Sequence, residues 1–209
     1  MRILVKKGGP LTTLQDLGRY GYQKFGVLVS GAMDDVSLRL SNLLVQNDPG
    51  EGALEMTMSG PVLVLPAGLV FALTGADMKA TLGGKPVPRY RPIYVRKEAI
   101  LTFGFAQTGS RAYLSVAGGF DVPQVMESKS TYLRAKIGGV KGRPIDKGDE
   151  LPIGTIGPHQ AAFVGRMERS AKEGDSFVTV PWSIDGSFVF AKGPSASWKG
   201  SNTIGSQRK

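Results

Sequence analysis

Residues 61–74 read PVLVLPAGLVFALT: two short apolar runs, Pro61 to Leu65 and Leu69 to Thr74, parted by Pro66 and Gly68. Apolar runs this short, bounded by Gly and Pro and rich in Val, Leu and Phe, predict buried strands. Three more follow the same form, Ile93 to Val95, Ile100 to Phe105 and Ala112 to Val116. Gly83-Gly84, between Ala80-Thr81-Leu82 and Pro86-Val87, predicts a tight hairpin, because paired glycines take positive φ without a Cβ penalty. Gly148-Asp149 reads as a second hairpin turn. Strands at this spacing predict a mainly β domain with an antiparallel sheet closed or nearly closed into a barrel, with a sandwich as the alternative.

Upstream, Gln15 to Asn47 has another character: QDLGRYGYQKFGVLVSGAMDDVSLRLSNLLVQN. Gly18, Gly21, Gly26 and Gly31 permit turns and close approach, while Gln15, Asp16, Arg19, Ser30 and Asp34 supply donors and acceptors. The interleaved Leu17, Tyr20, Tyr22, Phe25, Val27 and Leu28 imply packing, so the segment reads as an ordered loop and not as a linker. Asp34 or Asp35 is placed to cap the one principal helix, expected from Asp34 to Gln46. Val36, Leu40, Leu43 and Leu44 would form its buried stripe, with Arg39 and Ser41 facing away. A glycine loop entering a helix N-terminus can receive an anion, or it can simply satisfy the cap.

The chain has 209 residues, 41% of them hydrophobic, enough for a sizeable core. A formal charge of +9 is spread along the sequence without a recognition motif or a basic helix, so nucleic acid is not an expected partner. With no cysteine, disulfides, thiolate metal sites and thiol redox chemistry are excluded. MRILVKK is too short for a signal peptide, and no apolar run nears the roughly 20 residues that cross a bilayer; a cytoplasmic protein without membrane contact is expected. The single His159 cannot build a histidine metal cluster, and neither a GxxxxGK[ST] loop nor a GxSxG elbow is present. Beyond Leu151, Pro152, Gly154, Gly157 and Pro158 break the pattern, and Lys192 to Lys209 is a Gly, Ser and Lys-rich segment expected to be frayed.

Further clusters are LEMTMSGP (Leu54 to Pro61), LTGAD (Leu73 to Asp77), GSRAYLSVAGGFDVP (Gly109 to Pro123), SKSTY (Ser128 to Tyr132) and GGVKGRPIDKGDEL (Gly138 to Leu151). With QDLGR and SGAMD, they make the chain resemble the biotin-dependent carboxyltransferase family that includes allophanate hydrolase subunit 2, the KipI antagonist, the C-type subunit of 5-oxoprolinase and the carboxyltransferase region of urea amidolyase. The resemblance implies a cyclophilin-like β-barrel, one of two such halves in full-length members. It leads us to expect residues 1–164 as the first half, 165–209 as a divergent, partly disordered tail, and the second barrel missing by truncation or frameshift. Gln46 and Glu127 stand where the resemblance implies glycines, and Lys129 where it implies an arginine.

The same resemblance implies a subunit of an ATP-dependent 5-oxoprolinase acting with a KipI-like protein, the B-type subunit of 5-oxoprolinase, and with a third subunit. Phosphorylating the lactam oxygen of 5-oxoproline would create a leaving group that water displaces. Its alternatives are a biotin-dependent carboxyltransferase and a non-catalytic, KipI-binding regulator. Arg19 or Arg111 would then neutralise phosphate, and Asp34 or Asp77 would hold the Mg ion of ATP. Ser128, Ser130 and Thr131 would line the site. Each has a plainer role: Arg111 pairing an acid at the barrel rim, Asp77 in an Asx-turn, Asp34 as a cap, the hydroxyls in a turn. No catalytic residue is singled out and no metal-ligand set is assigned. The expectation to be tested is that Gln15, Asp16, Arg19, Ser30, Asp34, Asp77 and Arg111 converge.

Overall fold

The computed structural model describes residues 1–171 and 177–179; the expected frayed segment from Lys192 lies outside them. In chain order the elements are β1 (Arg2–Lys7), β2 (Thr12–Gln15), α1 (Asp35–Leu44), β3 (Ala53–Thr57), β4 (Val62–Leu65), β5 (Val70–Asp77), β6 (Thr81–Leu82), β7 (Lys85–Pro86), β8 (Pro92–Val95), β9 (Ala99–Thr102), β10 (Thr108–Val116), β11 (Glu150–Pro152), α2 (Pro158–Arg169) and β12 (Phe177–Thr179). The strands form two six-stranded sheets, ordered β11-β1-β4-β9-β6-β7 and β12-β8-β5-β10-β3-β2. All their pairings are antiparallel.

Each predicted apolar run contributes a strand. In β4 burial alternates residue by residue, as a strand with one face on the core requires. In β5, five consecutive residues are buried, because this strand is covered on both faces. One face of β5 joins Ile3, Leu54, Leu63, Phe71, Leu101 and Leu114 in the core shared by the two sheets. The other supplies Val70 and Ala72 to a second cluster with Leu44, Val45, Phe163 and Met167 of the helical layer. The predicted glycine hairpin joins β6 to β7, with Gly83 at φ 57° and Gly84 at φ 79°.

Three expectations need correction. The inward face of α1 carries Ser37, Leu38, Ser41, Asn42 and Leu44, while Val36 and Leu43 are exposed. Ser41 faces inward because its hydroxyl meets that of Ser115 at 2.7 Å and donates to the Leu38 carbonyl. A second helix, α2, is present where only one principal helix was expected. It starts at Pro158, whose missing N–H costs nothing at a first helical position, and buries Phe163 and Met167 four residues apart. Its Gln160 ties it to the end of α1, donating to the Gln46 carbonyl at 3.0 Å and to Asn47 Oδ1 at 2.7 Å. Finally, Gly148-Asp149 is a turn but not a hairpin: it delivers the chain into β11, which pairs with the distant β1. No helix among the described residues is long and apolar enough to cross a membrane.

Candidate functional site

The chain leaves β2 at Gln15, and the next residue is the acceptor of a buried polar cluster. Asp16 Oδ1 accepts from Ser128 Oγ at 2.8 Å and from Ser130 Oγ, and Oδ2 accepts the Lys129 backbone N–H at 2.6 Å. Asp16 Oδ1 also closes an Asx-turn onto the Gly18 N–H at 2.7 Å. Arg19, 0% exposed, donates to the Ser130 and Val125 carbonyls and, at 3.4 Å, to Ser30 Oγ. Burial pushes the Arg19 guanidinium below its ordinary value, and the charge of Asp16 opposes that shift. Gln15 accepts the Gly31 N–H and donates to Thr13 and to the Thr131 carbonyl, while Thr131 Oγ1 donates to the Leu14 carbonyl.

This cluster explains a glycine. A Cβ at Gly138 would lie 2.1 Å from the Ser130 carbonyl oxygen and 2.7 Å from Arg19 Nη2, so only glycine lets the two loops close over the guanidinium. Lys129 Nζ is held by Glu51 and the Phe120 carbonyl, and Glu127 and Gln46 occupy left-handed backbone at φ 61° and 59°. That conformation is the physical reason a glycine suits both positions.

Asp34 lies beside a second group. It caps α1, accepting from Ser37 N at 2.9 Å and Ser37 Oγ at 2.6 Å, and its own N–H donates to Tyr113 Oη at 2.8 Å. Tyr113 Oη donates to Glu55 Oε2 at 2.7 Å, and the Met33 N–H donates to the same oxygen at 2.7 Å. Burial, then the bond and charge of Glu55, raise the Tyr113 phenol far above its usual range, so it stays a donor. Arg111 Nε lies 3.6 Å from Glu55 Oε1, a pairing with an acid across the adjacent interior strands β10 and β3.

Gln15, Asp16, Arg19, Ser30, Ser128, Ser130 and Thr131 are thus brought together, and Asp34 and Arg111 meet through Tyr113 and Glu55. A cleft of about 230 Å³ joins the two groups, lined among others by Gln15, Ser30, Glu55, Thr131 and Arg134. Asp77 is not part of it: it pairs with Lys79 at 2.9 Å and forms an Asx-turn with the Lys79 N–H on another cleft. Sequence reasoning missed Glu55 and Tyr113, although both lie in quoted motifs; their partnership across β3 and β10 follows from the register Glu55 opposite Tyr113.

Neither carboxylate expected to hold Mg is free in this structure: Asp34 is committed to its cap through Ser37 and Asp77 to Lys79. The cleft is lined mainly by apolar atoms; its polar groups include the Ser30 hydroxyl, the Arg134 cation and the Glu55 carboxylate, which already receives Tyr113 Oη and the Met33 N–H and pairs with Arg111.

Comparison with known proteins follows the same lines. The model of the carboxyltransferase domain, subdomains A and B, matches residues 25–195. The C-type subunit of the Escherichia coli 5-oxoprolinase is 43% identical over 148 residues, covering 71% of this chain and 48% of that protein. The urea amidolyase of Saccharomyces cerevisiae is 41% identical over 144 residues, covering 68% of this chain and 8% of that one. The crystal structure of the K. lactis urea amidolyase superposes with a TM-score of 0.72 at 38% identity, over 76% of this chain and 10% of that chain. The chain therefore spans about half the length of the 5-oxoprolinase relative it matches, and a small part of the larger enzymes.

Proposed function

Since the chain belongs to the family of the carboxyltransferase domain, subdomains A and B, we propose that it serves a 5-oxoprolinase-type complex that opens the lactam of 5-oxoproline to glutamate at the expense of ATP. The observation that carries this reading is the 43% identity to the C-type subunit of a 5-oxoprolinase, over nearly half of that protein's length. The geometry agrees in kind. A lactam presents one N–H, one C=O and, in 5-oxoproline, one carboxylate; Glu55, Ser30 and Arg134 line the same cleft and offer an acceptor, a donor and a cation. The cluster beneath holds that cleft in shape, since Arg19 grips Ser30 and Gln15 grips the Gly31 N–H.

In this reading the chain contributes substrate positioning, not the nucleotide. ATP with Mg belongs to the assembled complex, whose other members are a KipI-like, B-type subunit and a third protein. The chain is thereby a component of a cytoplasmic hydrolase and is inactive alone.

A second reading rests on the 41% identity to a urea amidolyase and the superposition on another. Urea and the ureido ring of biotin also present N–H and C=O groups, so the same cleft suits a biotin-dependent carboxyltransferase. In that reading Glu55 and Ser30 would hold the ureido ring, and biotin, already carboxylated on its ureido nitrogen, would supply the carboxyl group for transfer. The experiment that separates the two is phosphate release from ATP by the chain mixed with its candidate partners. Dependence on 5-oxoproline supports the first reading; release that requires urea and a biotinylated partner overturns it in favour of the second.

A further inference from the structure

A second cleft lies away from the polar cluster, between the end of β5, the β6–β7 hairpin and the loop 86–90. It holds about 350 Å³, and its wall is mainly apolar, with Leu73, Met78, Val87 and Phe103 lining it. Leu73 and Met78 are 2% exposed, so the cleft reaches core side chains and is not a surface dimple. Its rim carries Asp77, Lys79 and Arg89. Lys79 takes the Asp77 carboxylate at 2.9 Å, which leaves the rim one net positive charge. The Arg89 guanidinium, anchored through Nη1 to the neutral Gly75 carbonyl, carries it.

Gly75, Lys79 and Tyr90 all hold positive φ, at 79°, 48° and 57°. At Gly75 a Cβ would lie 2.4 Å from the Arg111 carbonyl oxygen, and the β5–β10 register shifts between Thr108 and Ala112. Left-handed non-glycine residues and strand bulges cost stability and gather where a side chain must be aimed. Here they aim Arg89: Tyr90 Oη lies 3.3 Å from the same Gly75 oxygen, and the guanidinium stacks 5.4 Å from the Tyr90 ring centroid.

We propose that this cleft binds a small hydrophobic monocarboxylate, an aryl or short acyl acid whose apolar body lies against Met78, Val87 and Phe103 and whose carboxylate meets Arg89. The volume is in the range of small-molecule sites, and a guanidinium beside an apolar wall is the pairing that selects an acid over its neutral amide. The site is separate from the cleft at Ser30 and Glu55 and does not depend on the 5-oxoprolinase reading.

The test is nuclear magnetic resonance of the full 209-residue chain, titrated with phenylacetate and with phenylacetamide. Phenylacetate is expected to shift the backbone amides between Ala76 and Arg89, with affinity roughly tenfold above that of the amide. Arg89→Gln, which keeps a donor for the Gly75 carbonyl, is expected to remove that tenfold preference while the spectrum stays folded. Ala80→Leu, which fills the cleft, is expected to abolish binding of both. 5-Oxoproline, too polar for the wall, should leave these amides in place. Equal affinity for acid and amide, unmoved amides in this segment, or a preference that survives Arg89→Gln would each overturn the proposal, whatever the outcome of the ATP assay.

Discussion

Asp16 holds the buried cluster through its carboxylate, which accepts from Ser128, Ser130, Lys129 and Gly18 beside the buried Arg19. Asp16→Ala leaves the buried Ser128 and Ser130 hydroxyls and the Lys129 N–H without their acceptor, and each buried donor left unsatisfied costs about 1–3 kcal/mol. Urea unfolding should show a loss of that size; a change under about 0.5 kcal/mol, typical of open surface, would mean that the cluster does not hold the loops. Gln46 and Glu127 make the opposite case. Both hold positive φ, and Gln46 Oε1 is buried without a partner. Gln46→Gly and Glu127→Gly should each stabilise by about 1 kcal/mol, because the left-handed Cβ penalty disappears; lower melting temperatures in both would contradict this. Asp149, 5% exposed, gives a pH dependence. Its bond from Arg143 holds its carboxyl well below the usual range, with the Asp146 N–H and Lys141 adding to the effect against burial. A depressed folded value means that the stabilisation is complete above the unfolded pKa, about 4, and is lost as pH falls below it. Acid titration of stability should therefore steepen below about pH 4, and Asp149→Asn should flatten that limb.

Among the elements, α1 shows where sequence stops being legible. Its start was plain from Asp34, whose carboxylate caps Ser37. Its inward face was not, because Ser41 and Asn42 are buried polar residues whose partners, Ser115 and the Glu51 carbonyl, lie outside the helix. Apolar periodicity assigns burial by hydropathy and cannot see a hydrogen bond to another element. The strands were legible for the converse reason: Leu63, Leu65 and Val70 to Leu73 are buried by apolar contact. Helix α2 was hidden because only Phe163 and Met167 of its twelve residues are buried, too few to mark a stripe. In the candidate site, the motifs delivered Asp16, Ser128 and Ser130, but the Glu55–Tyr113 pair required the β3–β10 register. The face assignment has a direct check. Leu38→Ala should cost about 2–5 kcal/mol as a core deletion, while Val36→Ala should stay within about 0.5 kcal/mol. Equal costs would restore the hydropathy-based face.

Over the whole molecule, the glycine loop and the helix after it are left apolar outside. Tyr20, Phe25 and Leu28 of the loop, Met33, and Val36 and Leu43 of α1 are all exposed, Phe25 and Met33 by 70% and 72%. They are six of the fourteen exposed large apolar side chains among the described residues, with Met58 and Phe105 among those elsewhere; six on one loop and the helix that follows it make the grouping in which an interaction surface is sought. The matched 5-oxoprolinase relative is by name one subunit among others, and this chain spans about half its length. Cover of this surface by a partner is what the proposed function predicts for the chain. The measurement is gel filtration with light scattering of the 209-residue chain alone and mixed with a KipI-like, B-type 5-oxoprolinase protein at micromolar concentration. A joint peak that Phe25→Ser and Met33→Ser together disperse is the result this account predicts; separate elution of the two unsubstituted proteins would contradict it.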